Sequence, residues 1–172
     1  MEVYCVNIKH VNSYLVKIND FYIAIDTGWP GHMKEYISVL RKYQINPDKI
    51  KYLFVTHFHP DHAGLIENIK SLGTNFVIFK HQIPYAAIME KMINKNPSDQ
   101  SNRLYLPLNL QTSIILDIEE SKAFFQKNNI PAQALKTIGH SDDSISIIFD
   151  DGSTFIGDLY SKELVMDDDY KS

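Results

Sequence analysis

Thr56-His57-Phe58-His59-Pro60-Asp61-His62 sets three imidazoles and a carboxylate within positions 57 to 62. Neutral imidazole and carboxylate are ligands that zinc, iron and manganese accept. The apolar run Tyr52-Leu53-Phe54-Val55 just before it reads as a buried strand, and the spacing of His62, Ile66 and Ile69 after it reads as a helix. The motif therefore occupies a strand-to-helix turn. There His57 and His59, two positions apart, share a face and can reach one ion, while Asp61 and His62 come one turn later and face across, toward a second. A polar loop whose histidines merely cap the next helix is the competing reading, but it leaves two ion-ready pairs without a use.

Outward from this turn, composition narrows the possibilities. The 172 residues suit one domain with a sizeable core. A net charge of −4, a pI near 5.9 and no lysine or arginine block leave out the electrostatic footprint of a nucleic-acid binder. Cys5 is the sole cysteine, so no intrachain disulfide forms, and its strand context predicts a small buried apolar role. Met1-Glu2 lacks the basic start of a signal peptide, and no apolar run has membrane-spanning length. A soluble cytoplasmic protein without membrane partners is expected.

Upstream, Val3 to Ile8, Tyr14 to Ile18 and Phe21 to Ile25 are spaced as antiparallel strands, and the last runs into the turn Asp26-Thr27-Gly28-Trp29-Pro30-Gly31. Asp26 either orients a metal-bound group or bonds nearby amides as a turn carboxylate. His32 to Gln44 reads as an amphipathic helix with Met33, Tyr36, Ile37 and Leu40 on one stripe.

Downstream, a helix from His62 to Leu72 is expected to stop at Gly73, followed by a strand from Phe76 to Phe79. Gln82 to Lys95 forms a helix whose wide apolar face suits a lid, a homodimer contact or, by default, the core. The polar stretch Asn94 to Pro107 is the candidate mobile loop. Ser113 to Asp117 is a strand, Glu119 to Asn128 a helix, and Gln133 to Ile138 a strand leading to Gly139-His140-Ser141. Ser144 to Phe149 and Thr154 to Ile156 flank the hairpin turn Asp150-Asp151-Gly152, and the second strand ends in Gly157-Asp158.

The motif at 57–62, then Gly139-His140-Ser141, then Phe155-Ile156-Gly157-Asp158, resembles the ligand series of the metallo-β-lactamase fold superfamily, on its glyoxalase II and lactonase-like side. Asn12-Ser13-Tyr14-Leu15-Val16 and Ile25-Asp26-Thr27-Gly28 match its early strands. The resemblance implies an α+β fold, a four-layer αββα sandwich with metal at one edge between two sheets. It implies that His57, His59 and His140 hold a first ion, that Asp61 and His62 hold a second, and that Asp158 bridges them. The ions would be one or two Zn²⁺, with Fe or Mn as alternatives. His59, standing where oxygen-reducing flavo-diiron members usually have a carboxylate, favours hydrolysis. The family's late histidine has no counterpart after His140, so residues 1–172 read as one domain shortened by the family's last strand and helix.

The activity so implied is hydrolysis of a small ester, thioester or lactone by a metal-bound hydroxide, with Asp61 orienting it and carrying a proton. Tyr160 is either an oxyanion hydrogen-bond donor or a packing aromatic. The other classes are a mononuclear-iron oxidoreductase resembling sulfur dioxygenases and a non-catalytic metal-binding module. His10, His32 and His81 read as surface or strand-end histidines.

Overall fold

Side-chain alternation along the central strands builds two separate hydrophobic layers. The structure is a computed structural model and describes residues 1–96 and 98–159. Tyr160 and the acidic tail at 167–169, both singled out in the sequence, lie outside the described residues.

Strands β1 (Glu2–Ile8), β2 (Val11–Ile18) and β3 (Phe21–Ile25) form the antiparallel start of a six-stranded sheet. Helix α1 (Met33–Lys42) then crosses to β4 (Ile50–Phe54), which pairs parallel with β3. The short helices α2 (Pro60–Ala63) and α3 (Ile66–Lys70) lead to β5 (Asn75–Phe79), and α4 (Ile83–Lys95) leads to β6 (Ile114–Leu116), both parallel additions. Helix α5 (Ser121–Lys127) precedes a three-stranded antiparallel sheet of β7 (Ala132–Lys136), β8 (Ile145–Phe149) and β9 (Thr154–Phe155).

Period-two alternation sends Leu15, Ala24, Leu53, Phe76 and Ile78 to one face of the large sheet, where Tyr36 and Leu40 of α1, Ile66 and Ile69 of α3, and Ala86, Met89 and Ile93 of α4 cover them. Val16, Ile23, Ile25, Phe54, Val77 and Phe79 point the other way and meet Ala132, Ala134, Ile145, Ile147, Phe149 and Phe155 of the small sheet. Each fully buried aliphatic or phenyl group contributes roughly 1.5–3 kcal/mol. Phe125 of α5 enters this inter-sheet layer 5.0 Å from the Phe54 ring, and Ser121 donates to the carbonyl of Ala134 on β7. The result is the α+β sandwich expected.

Four local expectations need correction. The helix after the motif is not continuous from His62 to Leu72: it begins at Pro60 and breaks after Ala63. The turn after β3 causes the break by taking its hydrogen bonds, because Thr27 N donates to His62 O, Gly64 N donates to Gly28 O, and Leu65 N donates to Thr27 Oγ1. Cys5 is only half-buried on the edge strand β1, where its thiol donates to Asn12 Oδ1 at 3.4 Å. On α4, Ile88 and Met92 remain exposed while the neighbouring stripe enters the core. The far half of the 94–107 stretch is anchored, since Glu90 accepts from Tyr105 OH and from Leu108 N.

Candidate metal centre

Because β3 and β4 run parallel, Asp26 and Thr56-His57 emerge past their C-terminal ends at one rim, where ligands gather in open α/β sheets. The chain past β7 brings His140 to this rim, and the chain past β9 brings Asp158. Six side chains scattered from 57 to 158 thus meet.

Three ring nitrogens converge most closely. His59 Nδ1 lies 3.0 Å from His57 Nε2 and 3.0 Å from His140 Nε2. Nitrogens bound tetrahedrally to zinc at 2.0–2.1 Å stand roughly 3.3–3.4 Å apart, so a few tenths of an ångström of relaxation admits the ion. A second group shares His57 and adds His62 and Asp158, with all donor atoms within 4.8 Å of one another. Asp158 spans the two, its Oδ1 being 3.2 Å from His62 Nε2 and its Oδ2 3.8 Å from His140 Nε2. Asp61 stands beside the second group, with Oδ2 3.6 Å from His62 Nε2. The close second triad therefore contains His57 where the sequence suggested Asp61.

Asp26 unites the two roles set against each other in the sequence. Held at φ +63° and 2% exposed, it accepts from Thr56 N at 2.7 Å through Oδ1, and its Oδ2 lies 2.9 Å from His62 Nδ1. A carboxylate only accepts, so His62 Nδ1 carries hydrogen and Nε2 faces the cluster. Thr56 Oγ1 donates to Asp26 Oδ2 at 2.9 Å and lies 3.1 Å from His57 Nδ1. With its own hydrogen so engaged it accepts from His57, which leaves Nε2 of that ring as the lone-pair donor.

Electrostatics separate the rings. Burial, followed by the charges of His62, His59 and His140, pushes His57 down to about 2, so it is neutral at physiological pH, the form in which imidazole can bind metal. Burial and His140 also lower His59. Burial acts to lower His62 as well, but the hydrogen bond to Asp26 and the charges of Asp26, Asp61 and Asp158 outweigh it and raise His62 to about 9. A cation entering the second group has a proton to displace there.

A recess of about 370 Å³ opens beside Asp61, His62 and Asp158, walled opposite by His10, Asn12 and Tyr14. His10 sits exposed in the β1–β2 turn at φ +68° and forms part of that wall. His32 is 8% exposed beside Glu35, and His81 lies past β5; neither joins the clustered rings.

Two contributors were not singled out in the sequence. Gly157, at φ +59°, lets the Asp158 loop touch Thr56: a Cβ there would meet Thr56 Oγ1 at 2.5 Å. Asp143, fully buried, accepts from Phe58 N at 2.8 Å and from Ser141 Oγ. The acidic pair Asp142-Asp143, separated by one residue from the apolar strand β8, was the visible signal.

The sandwich carries, at its rim, an imidazole and carboxylate cluster of the kind that holds metal. The chain belongs to the metallo-beta-lactamase superfamily, whose family profile matches residues 6–159. The Beta-lactamase-like protein 2 homolog of Caenorhabditis elegans is 36% identical over 45% of this chain and 25% of its own. Thioesterase pkgB of Emericella nidulans is 25% identical over 72% of this chain and 36% of its own, and Diflavin flavoprotein A 1 of Synechocystis sp. is 33% identical over 39% and 11%. The chain thus spans well under half the length of these curated relatives. The native FEZ-1 metallo-beta-lactamase from Legionella gormanii superposes with a TM-score of 0.65 at 17% identity, covering 89% of this chain and 58% of that one. Among the described residues no helix is long and apolar enough to cross a membrane.

Proposed function

We propose that the protein is a zinc-dependent hydrolase of a small ester, thioester or lactone, acting in the cytoplasm. The observation that carries this reading is the convergence of His57 Nε2, His59 Nδ1 and His140 Nε2 beside the group of His57, His62 and Asp158. His57, His59 and His140 hold a first ion. His62 and Asp158 hold a second, with Asp158 reaching toward both. When bound, zinc supplies Lewis acidity and hydroxide near neutral pH.

The chain's own residues then orient and move protons. Asp26 fixes the His62 ring and Thr56 fixes the His57 ring, so neither donor atom needs to reorganise. Asp61, with a side chain 24% exposed at the recess, orients the attacking group and relays the proton it takes from it to the leaving group. The recess admits a compact reacting group, and the thioesterase relative supports thioesters within the ester class.

The test is metal content and turnover of the purified chain on a panel of thioesters, esters and lactones. Zinc-dependent hydrolysis that stops with chelator and returns with zinc supports the proposal. Hydrolysis unaffected by His57→Ala refutes it. A second reading is redox chemistry, since one relative is a diflavin flavoprotein, with a single iron in the site as its form. Iron in the purified chain with oxygen uptake on a persulfide would replace the hydrolytic reading, and colourless zinc protein would remove the redox one.

A further inference from the structure

Asp143 is a carboxylate at 0% exposure placed between the two loops that carry the triple-histidine group. Its Oδ2 accepts at 2.8 Å from Phe58 N, the amide between His57 and His59, across 85 positions of sequence. Its Oδ1 accepts from the hydroxyl of Ser141, the residue after His140. Its carbonyl accepts from Gln82 Nε2 at 3.3 Å, and the same amide group reaches Val55 O at 3.2 Å, two residues before His57. Ile145 N donates to Thr56 O at 2.8 Å and completes the seam.

Building on the metal reading, we infer that Asp143 is a positioning residue of the first ion's site: it sets the separation of His59 and His140, and its buried negative charge is balanced by the cation those histidines hold. Two features carry this. The carboxylate grips both sides of the His59–His140 gap, whose donor atoms stand 3.0 Å apart. Its side-chain oxygens bond an amide and a hydroxyl, its charge acts on the His59 and His81 rings, and a buried charge so placed gains from a full counter-charge held by His59.

Asp143→Asn separates the inference from a merely structural role. Asparagine keeps an acceptor for Phe58 N and donates to Ser141 Oγ, so the shape persists while the charge goes. The experiment measures zinc affinity by competition with a chromogenic chelator, together with thermal stability of the zinc-free protein. The expected result is zinc affinity about 10- to 100-fold weaker with zinc-free stability equal to or above that of the wild type. Asp143→Ala should also change the visible spectrum of the cobalt-substituted protein, which Glu90→Gln, in a half-buried clamp between α4 and Leu108, leaves as in the wild type. Wild-type zinc affinity in Asp143→Asn overturns the inference while the metal reading stands. Wild-type protein that takes up no zinc overturns both.

Discussion

Replacing Gly157 by alanine puts a methyl group 2.5 Å from Thr56 Oγ1, 2.8 Å from Thr56 Cβ and 3.4 Å from His57 Nδ1. The first two distances are closer than carbon atoms tolerate, and the obstacle is a side chain that cannot swing away. Thr56 Oγ1 is bonded to both oxygens of Asp26, at 3.1 and 2.9 Å, and sits against His57 Nδ1. Overpacking of this kind costs about 1–3 kcal/mol, and a β-carbon at φ +59° adds about 1–2 kcal/mol. The sum, about 2–5 kcal/mol, corresponds to roughly 4–20 °C in Tm for a chain of this size. Relief by moving the 157–158 loop would draw Asp158 from its 3.2 Å approach to His62. Either route should be read by calorimetry and zinc titration of Gly157→Ala: lower Tm, weaker binding of the second ion, or both. A Tm and zinc affinity both equal to the wild type would refute the claim that this glycine seats the Asp158 loop on the motif.

Other consequences are as direct. Asp26→Asn removes the charge that orients His62, so zinc affinity of the second group should fall about 10- to 100-fold, measured by isothermal titration with the first ion in place. His57→Ala removes a donor of the first group, and metal content by mass spectrometry should fall relative to the wild type. Chelator should lower Tm: zinc at 1,000 times its Kd stabilises by about 4 kcal/mol, or about 8–16 °C, and loss of this difference in His57→Ala is the control.

Local signals explain what the sequence disclosed. The apolar run ending at Val55 and the histidine spacing after it are contiguous, so the strand-to-helix turn could be placed from neighbours, and the six candidate rim residues from the family's ligand series. Asp61 stands at the same rim, 3.6 Å from His62 Nε2, just outside the tightest grouping of His57, His62 and Asp158. The broken helix after His62 was hidden because Thr27 and Gly28, more than thirty positions earlier, supply the competing bonds. The acidic pair holding Asp143 was visible, but its partner Phe58, lying across the sheet interface, was not. Asp26 was seen, but only packing could show one carboxylate bonding an amide and orienting an imidazole together.

X-ray absorption at the zinc edge of the zinc-loaded protein tests the central claim most directly. The account predicts nitrogen and oxygen neighbours at about 2.0–2.1 Å with imidazole outer-shell scattering, diminished in His57→Ala. A sulfur shell at about 2.3 Å, or a spectrum unchanged by that substitution, would contradict it.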